Sequence, residues 1–352
     1  MSKRKPSDSV RVGIIGVGIG QAHIAGYKKV PQAEIAALCD TNVERAQAVA
    51  RENGLENVPV FADHRAMLEE TELDGVSVGV PNALHRPIAV DCLNAGKHVI
   101  CEKPLAVNAR EAQKIADAAA KNKRHCMVAQ VNRFRSDSRF LKEVIAAGKL
   151  GKIYYAHAGA LRRRGIPGYG GWFTTKAQSG GGPLIDIGVH LLDIAWWLCG
   201  CPQPIAASGV TYAEFGPRRK GSWGTDEPTG TFDVEDLAVG LIRFANGLTI
   251  NLEASWALNA EADRQWCHIH GSEAGCNWGQ SPGIYSDLNG VPTVTNLALP
   301  HGDAWQGEMQ HFIDCILNDR TPDPDATQGV TMMKMLDAIY KSSETGREVI
   351  IK

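Results

Sequence analysis

No run of apolar residues in this sequence approaches the ~18 that a bilayer-crossing helix needs, so no membrane-spanning segment is expected. An excess of one charge sign is missing as well. Lys and Arg number 37 against 39 Asp and Glu, a formal net charge of −2. Without a global basic field, neither nucleic acid nor an anionic membrane is an expected partner. Met1 to Ser9 lacks the apolar stretch of a secretory signal. Lys3-Arg4-Lys5 within it reads as part of a frayed polar end. There is no internal repeat and no low-complexity tract. Hydrophobic residues make up 44% and charged residues 22%, which excludes disordered, collagenous and fibrous classes.

What is present is chain enough for about two domains, each able to bury a core without staples. Nine cysteines, an odd number, lie scattered through apolar segments. Reduced, buried thiols in a cytoplasmic protein are the expectation.

From Val10 onward, short apolar runs alternate with helical patterns. Strands are expected at Val10–Ile15, Ile35–Cys39, Gly75–Val80, His98–Cys101 and His125–Val131, with helices between them. Asn108 followed by Glu111 marks a capped helix start. Strands separated by helices imply parallel pairing with right-handed crossovers, hence a doubly wound α/β sheet. After Asn132 the character changes. Glu235–Phe244 and Leu248–Trp256 read as strands joined by the hairpin pair Asn246-Gly247. Ile153–Leu161 reads as a long strand, Ile185–Trp197 as an apolar helix, and Ala304–Leu317 and Gln328–Ser343 as further helices. A second, α+β domain with a large, mostly antiparallel open sheet follows. The expected domains are 10–131 and 132–352, with 216–231 as a surface loop.

Residues 16–23 read Gly-Val-Gly-Ile-Gly-Gln-Ala-His, directly after the first strand. Gly16 and Gly18 let the backbone turn tightly and approach a pyrophosphate, with Ile19 and Gly20 leading into a helix whose free N–H groups face it. The third glycine comes one residue early, Gln21 holding its usual place, and a tight turn alone would also explain the pattern. Asp40 ends the second strand, 24 residues after Gly16. A carboxylate there accepts hydrogen bonds from the ribose of NAD and repels the 2′-phosphate of NADP. Capping of the next helix is the alternative role for Asp40. NAD is therefore the expected cofactor and NADP the disfavoured one, with Arg45 able to soften the preference. Loops after parallel strands emerge at one sheet edge. Gly18, Asp40, Asn82 and Lys103 should accordingly converge on one crevice.

Asp186, His190 and Asp193 fall at i, i+4 and i+7 of the apolar helix, on one face at 3.6 residues per turn. A carboxylate beside an imidazole suits general-base work near neutral pH. A buried polar stripe between domains is the structural alternative. His268 and His270 alternate along a strand without a third ligand nearby, and Cys199 and Cys201 lack zinc-site spacing, so no metal is expected. Arg162-Arg163-Arg164 with Tyr169 and Trp172 fits a polar-ligand anchor or subunit contact better than a nucleic-acid patch.

These motifs together resemble the Gfo/Idh/MocA oxidoreductases, relatives of glucose–fructose oxidoreductase and inositol dehydrogenase. The resemblance runs from Val10 to the C-terminus. It rests on the 16–23 turn, Pro81-Asn82 with His85, Ala95-Gly96-Lys97-His98-Val99, Glu102-Lys103-Pro104, and Gly180-Gly181-Gly182 leading into Asp186-Ile187-Gly188-Val189-His190. It implies an N-terminal Rossmann domain and a C-terminal domain whose open sheet mediates assembly into a homo-oligomer, a dimer or tetramer. It implies NAD(P)-linked hydride transfer at a hydroxyl-bearing carbon of a sugar or cyclitol. By motif, Lys103 matches the active-site lysine, and Asp186 and His190 the catalytic pair. Pro81, Asn82, His85 and Glu102 match positions lining the nicotinamide. Asp193 falls where inositol dehydrogenases place an Asp, and Arg162, Tyr169 and Trp172 fall where substrate contacts vary. On this reading the reactive ring lies between Lys103 and His190. A redox-neutral epimerase or lyase with tightly bound NAD, and a non-catalytic sugar- or nucleotide-sensing regulator, are the alternatives.

Overall fold

A computed structural model describes residues 9–222 and 229–352. The chain divides into two compact units. One comprises Met1–Phe134 with Asp303–Val330; the other comprises Arg135–Gly302 with Thr331–Lys352. The segment 303–330, read in the sequence as part of the second domain, thus belongs with the first.

In the first unit, β1 (Val10–Ile15) runs into α1 (Gly20–Tyr27), followed by β2 (Ala33–Cys39), α2 (Val43–Glu52), β3 (Val60–Phe61) and α3 (His64–Glu70). Then come β4 (Gly75–Val78), α4 (Asn82–Asn94), β5 (His98–Glu102), α5 (Ala109–Asn122) and β6 (Cys126–Ala129). The six strands pair in parallel in the order β3-β2-β1-β4-β5-β6. Helices on both faces explain why β4 and β6 are continuous buried runs rather than alternating ones. Local chemistry sets the helix starts. Asn42 accepts from the Arg45 N–H and Asp63 from the Arg65 N–H; Asn108 accepts from the Glu111 N–H, as expected. Glu111 does not complete a capping box, because its carboxylate is taken by Arg86 and Lys114.

One side chain in this sheet carries a pH prediction. The Nδ1 atom of His98 accepts the His125 N–H at 3.0 Å, a bond available only to the neutral ring. Burial, with the nearby His125 and Arg124, pulls its pKa from 6.5 to about 4. The unfolded chain therefore takes up this proton before the folded one does. Stability is full above pH 6.5 and falls as pH drops toward 4, by at most about 3 kcal/mol from this group. Urea midpoints across that range should fall less steeply in His98→Asn than in the parent chain. Parallel slopes would remove the assignment.

The second unit begins with α6 (Ser136–Ala146) and β7 (Ile153–Leu161). Next are α7 (Lys176–Ser179), a π-helical turn at Leu184–Gly188, α8 (Val189–Leu198), β8 (Pro204–Tyr212), β9 (Leu237–Phe244) and β10 (Thr249–Ser255). β11 (Arg264–Gly271), β12 (Ala274–Trp278), β13 (Gly283–Leu288) and β14 (Val291–Asn296) complete the long run of strands. α9 (Ala304–Asn318) lies in the first unit, α10 (Ala326–Thr345) starts there, and β15 (Val349–Ile350) closes the chain. Nine strands form one sheet in the order β14-β13-β12-β11-β7-β10-β9-β8-β15, antiparallel except for the β7–β10 pair. Asn246-Gly247 makes the expected turn between β9 and β10, with Gly247 at φ +85°. α8 packs on β7, β10 and β11, over buried Ala156, Ala158, Ile250, Leu252 and Ile269. Residues 223–228 of the expected loop at 216–231 lie outside the described residues. Among the described residues, no helix is long and apolar enough to cross a membrane.

Candidate active site

Strand order reverses between β1 and β4, and ligands of such sheets bind at the carboxyl edge beside that reversal. The turn after β1 and the loop after β4 meet there. Gly16 sits at φ +87°, and a Cβ on it would lie 2.3 Å from the Gly79 carbonyl oxygen. Only glycine lets these two backbones pack so closely. Gly18 and Ile19 form the exposed tip, and a Cβ on Gly18 would meet nothing within 4 Å. Gly20 opens α1, which no side chain caps. Open space in front of an uncapped helix start fits a pyrophosphate group.

Asp40 lies at the end of β2, as expected, but does not cap α2; Asn42 does. Its Oδ2 accepts the Val17 N–H at 3.0 Å, and its Oδ1 accepts the Asn42 N–H at 2.9 Å. The Arg45 guanidinium donates to Oδ2 at 2.7 Å. Burial alone would raise its pKa, but these bonds and the guanidinium hold it below the usual carboxylate range. Asp40 therefore stays ionised, ties itself to the glycine turn, and holds Arg45 beside the end of β2.

The loops after β4 and β5 are stitched together by His85, which is fully buried. Its Nδ1 lies 2.8 Å from the Pro104 carbonyl and its Nε2 2.8 Å from the Val80 carbonyl. Burial pulls this imidazole below its ordinary range. Pro81 precedes α4, and Asn82, at its first position, is 5% exposed. Glu102 ends β5, accepts the Lys103 N–H at 3.1 Å, and lies 3.0 Å from the Nε2 of His23. Burial opposes its charge, but His23 and Lys103 hold its pKa below the usual range. Lys103 itself is half-buried. His23 is fully buried and links α1 to the Glu102-Lys103 loop. Its position three residues beyond Gly20, one turn along α1, was the available signal.

The second unit holds Asp186, His190 and Asp193, but not on one regular α-helix. Leu184–Gly188 is a π-turn, so Asp186 sits in a wider ring than 3.6-residue periodicity assumes. Asp186 and His190 are half-buried, whereas Asp193 is only 2% exposed. The indole Nε1 of Trp256 donates to Asp186 Oδ2 at 3.0 Å. Glu235 accepts the N–H groups of Gly182 and Leu184 at the start of the turn, and burial lifts its carboxyl above the ordinary range despite those bonds. Neither Trp256 nor Glu235 carried a sequence motif. Arg162, Tyr169 and Trp172 are all partly exposed. The Tyr169 hydroxyl donates to the Lys220 carbonyl at 2.8 Å, and Trp172 stacks on Phe173. His268 and His270 lie on β11, where His270 stacks on Tyr155. No group of three metal-binding side chains occurs among the described residues. The nine cysteines are thiols rather than disulfides, seven of them buried.

Residues 10–130 match an oxidoreductase family with an NAD-binding Rossmann fold, and residues 138–276 match the Gfo/Idh/MocA C-terminal domain. The chain belongs to the Gfo/Idh/MocA oxidoreductase family. Its first unit is thus an NAD-binding Rossmann domain, in keeping with the strand order and the glycine turn. A D-glucoside 3-dehydrogenase of Escherichia coli is 36% identical over 99% of both chains. A levoglucosan dehydrogenase of Pseudarthrobacter phenanthrenivorans is 30% identical, over 75% of this chain and 72% of that one. Among solved structures, levoglucosan dehydrogenase in complex with NADH and L-sorbose superposes with a TM-score of 0.87. It is 25% identical, covering 98% of this chain and 99% of that one.

Proposed function

We propose that this member of the family oxidises a ring hydroxyl of a sugar or cyclitol, with a pyranoside as the favoured substrate. The observation that carries the reading is the end-to-end likeness to a D-glucoside 3-dehydrogenase, at 36% identity. Asp186 and His190 on the second unit, and Lys103 on the loop after β5, supply the chemistry. NAD⁺, when bound, would supply the acceptor for the hydride that leaves the carbinol carbon. His190 removes the hydroxyl proton, leaving a ketone. Lys103 hydrogen-bonds the same oxygen and stabilises the negative charge that develops on it, a strong effect where water is excluded. Asp186, fixed by Trp256, orients substrate or base. Asp193, Arg162, Tyr169 and Trp172 are assigned to the substrate side. Gly16, Gly18, Ile19, Gly20, Asp40, Arg45, Pro81, Asn82, His85 and Glu102, with Lys103 beside the reacting carbon, are assigned to the cofactor side.

The same reading gives the second domain to substrate binding and to self-association through its sheet. Val210, Tyr212, Leu241, Tyr285 and Val294 support this, being large apolar side chains left 36–64% exposed on that sheet. Sugars, methyl glucosides and cyclitols screened for NADH formation test the function directly. A glycoside should be oxidised with NAD preferred over NADP, because the ionised Asp40 repels a 2′-phosphate. Absence of turnover on every polyol, with NAD still bound, would sink it.

A further inference from the structure

A π-turn is a rare arrangement that needs external support, and it recurs where function demands an unusual side-chain placement. The support here comes from one frame. At the start of the turn, the Gly182 N–H donates to Glu235 Oε2 at 2.9 Å and the N–H of Leu184, its first residue, to Oε1 at 3.1 Å. The Tyr340 hydroxyl donates to Oε1 at 2.8 Å. A Cβ on Gly182 would sit 2.0 Å from the Glu235 carbonyl oxygen, so glycine is what lets the chain come this close. Within the turn, Trp256 holds Asp186. Glu235 lies just before β9 and Trp256 just after β10, and the Trp256 N–H donates to the Asp236 carbonyl at 2.9 Å. The carboxylate and the indole therefore project from adjoining ends of one antiparallel strand pair. Each grips the turn at a different point.

We propose that Glu235, oriented by Tyr340, is a positioning residue that fixes the π-turn and through it the mutual orientation of Asp186 and His190. The inference rests on the reading of His190 as the base. Glu235 bonds to two backbone N–H groups and the Tyr340 hydroxyl, and the residue is 8% exposed. Its influence on rate runs through the turn it holds. Replacing it by glutamine leaves one amide oxygen where two carboxylate oxygens served two backbone donors. One N–H then faces an NH₂ group, and the turn can relax toward α-helical geometry.

The test uses full-length Glu235→Gln and Tyr340→Phe, with indole N–H resonances as a readout that needs no catalysis. The Trp256 signal reports on Asp186. Trp196 and Trp278, whose indoles donate to the Pro202 carbonyl and Ser138 hydroxyl, serve as internal references. In Glu235→Gln the Trp256 resonance should move while the other two stay. The kcat should fall roughly tenfold to a hundredfold, with NADH affinity unchanged. Tyr340→Phe keeps both backbone bonds and should move both readouts in the same direction by less; if Glu235→Gln does not fold, this variant carries the test. A stationary Trp256 signal with parental kcat overturns the proposal. So does a displaced signal with parental kcat, unless His190→Ala is also unimpaired, in which case the base assignment has failed instead.

Discussion

Hydride transfer in a single turnover should fall by about 10²–10⁴-fold in His190→Ala, the range expected when a general base is removed. Lys103→Ala should cost roughly 10²–10³-fold, as loss of a donor to a developing oxyanion does. The two losses arise differently. Without His190, the carbinol proton has no nearby acceptor, so the residual rate should climb with added imidazole. Without Lys103, the charge on oxygen goes uncompensated, and no small base should restore it. The comparison is made in variants that still bind NADH, since the glycine turn and Asp40, proposed to hold the far end of the nucleotide, are untouched. Near-parental single-turnover rates in both would remove the assignment.

The second large effect separates fold from cofactor at two glycines in one turn. In Gly16→Ala, a side chain must adopt φ +87° and its Cβ must displace the Gly79 carbonyl, 2.3 Å away. A loss of about 2–3 kcal/mol is expected from the strain and the clash. Gly18→Ala meets neither obstacle. Its Cβ projects into open space, φ is unstrained, and stability should stay within about 0.5 kcal/mol. On the proposed placement the pyrophosphate comes against the backbone in that open space, so NADH affinity should drop at least about tenfold, or 1.4 kcal/mol. Urea midpoints and NADH fluorescence titrations on the two variants decide the matter. Unimpaired NADH binding by Gly18→Ala would place the pyrophosphate elsewhere.

The first sheet was legible in the sequence because its signals are local. β1, β4 and β6 are short apolar runs, and Asn42, Asp63 and Asn108 cap helices through bonds to residues two or three positions ahead. The second sheet was only partly legible. The Asn246-Gly247 hairpin announces itself, but β12, β13 and β14 are short and mixed in character. Val291 and Val294 on β14 are more than 60% exposed and alternate with nothing buried. Strands of that kind are specified by the neighbours they pair with. The return of 303–330 to the first unit was equally hidden. Its amphipathic helix shows that an apolar face must be buried, and not against what.

For the candidate site the division is sharper. Residue types and spacings select Gly16, Gly18, Asp40, Asn82, Lys103, Asp186 and His190, because the chemistry of each depends on its own side chain and near neighbours. Geometry read from spacing failed at Asp186, since a five-residue turn leaves no mark on the periodicity of an apolar stretch. The partners that hold these residues come from far along the chain. His23 reaches Glu102 across 79 residues, Trp256 reaches Asp186 across 70, and Tyr340 reaches Glu235 across 105. Sequence alone determined the fold class, the coenzyme and the chemical groups on offer, because strand periodicity, the glycine turn and titratable side chains are properties of short segments. Tertiary structure decided the shape of the turn under Asp186, the ionisation of Asp40 and Glu102, and which buried groups brace them. Each of those depends on burial and on hydrogen bonds that exist only once distant segments have packed together.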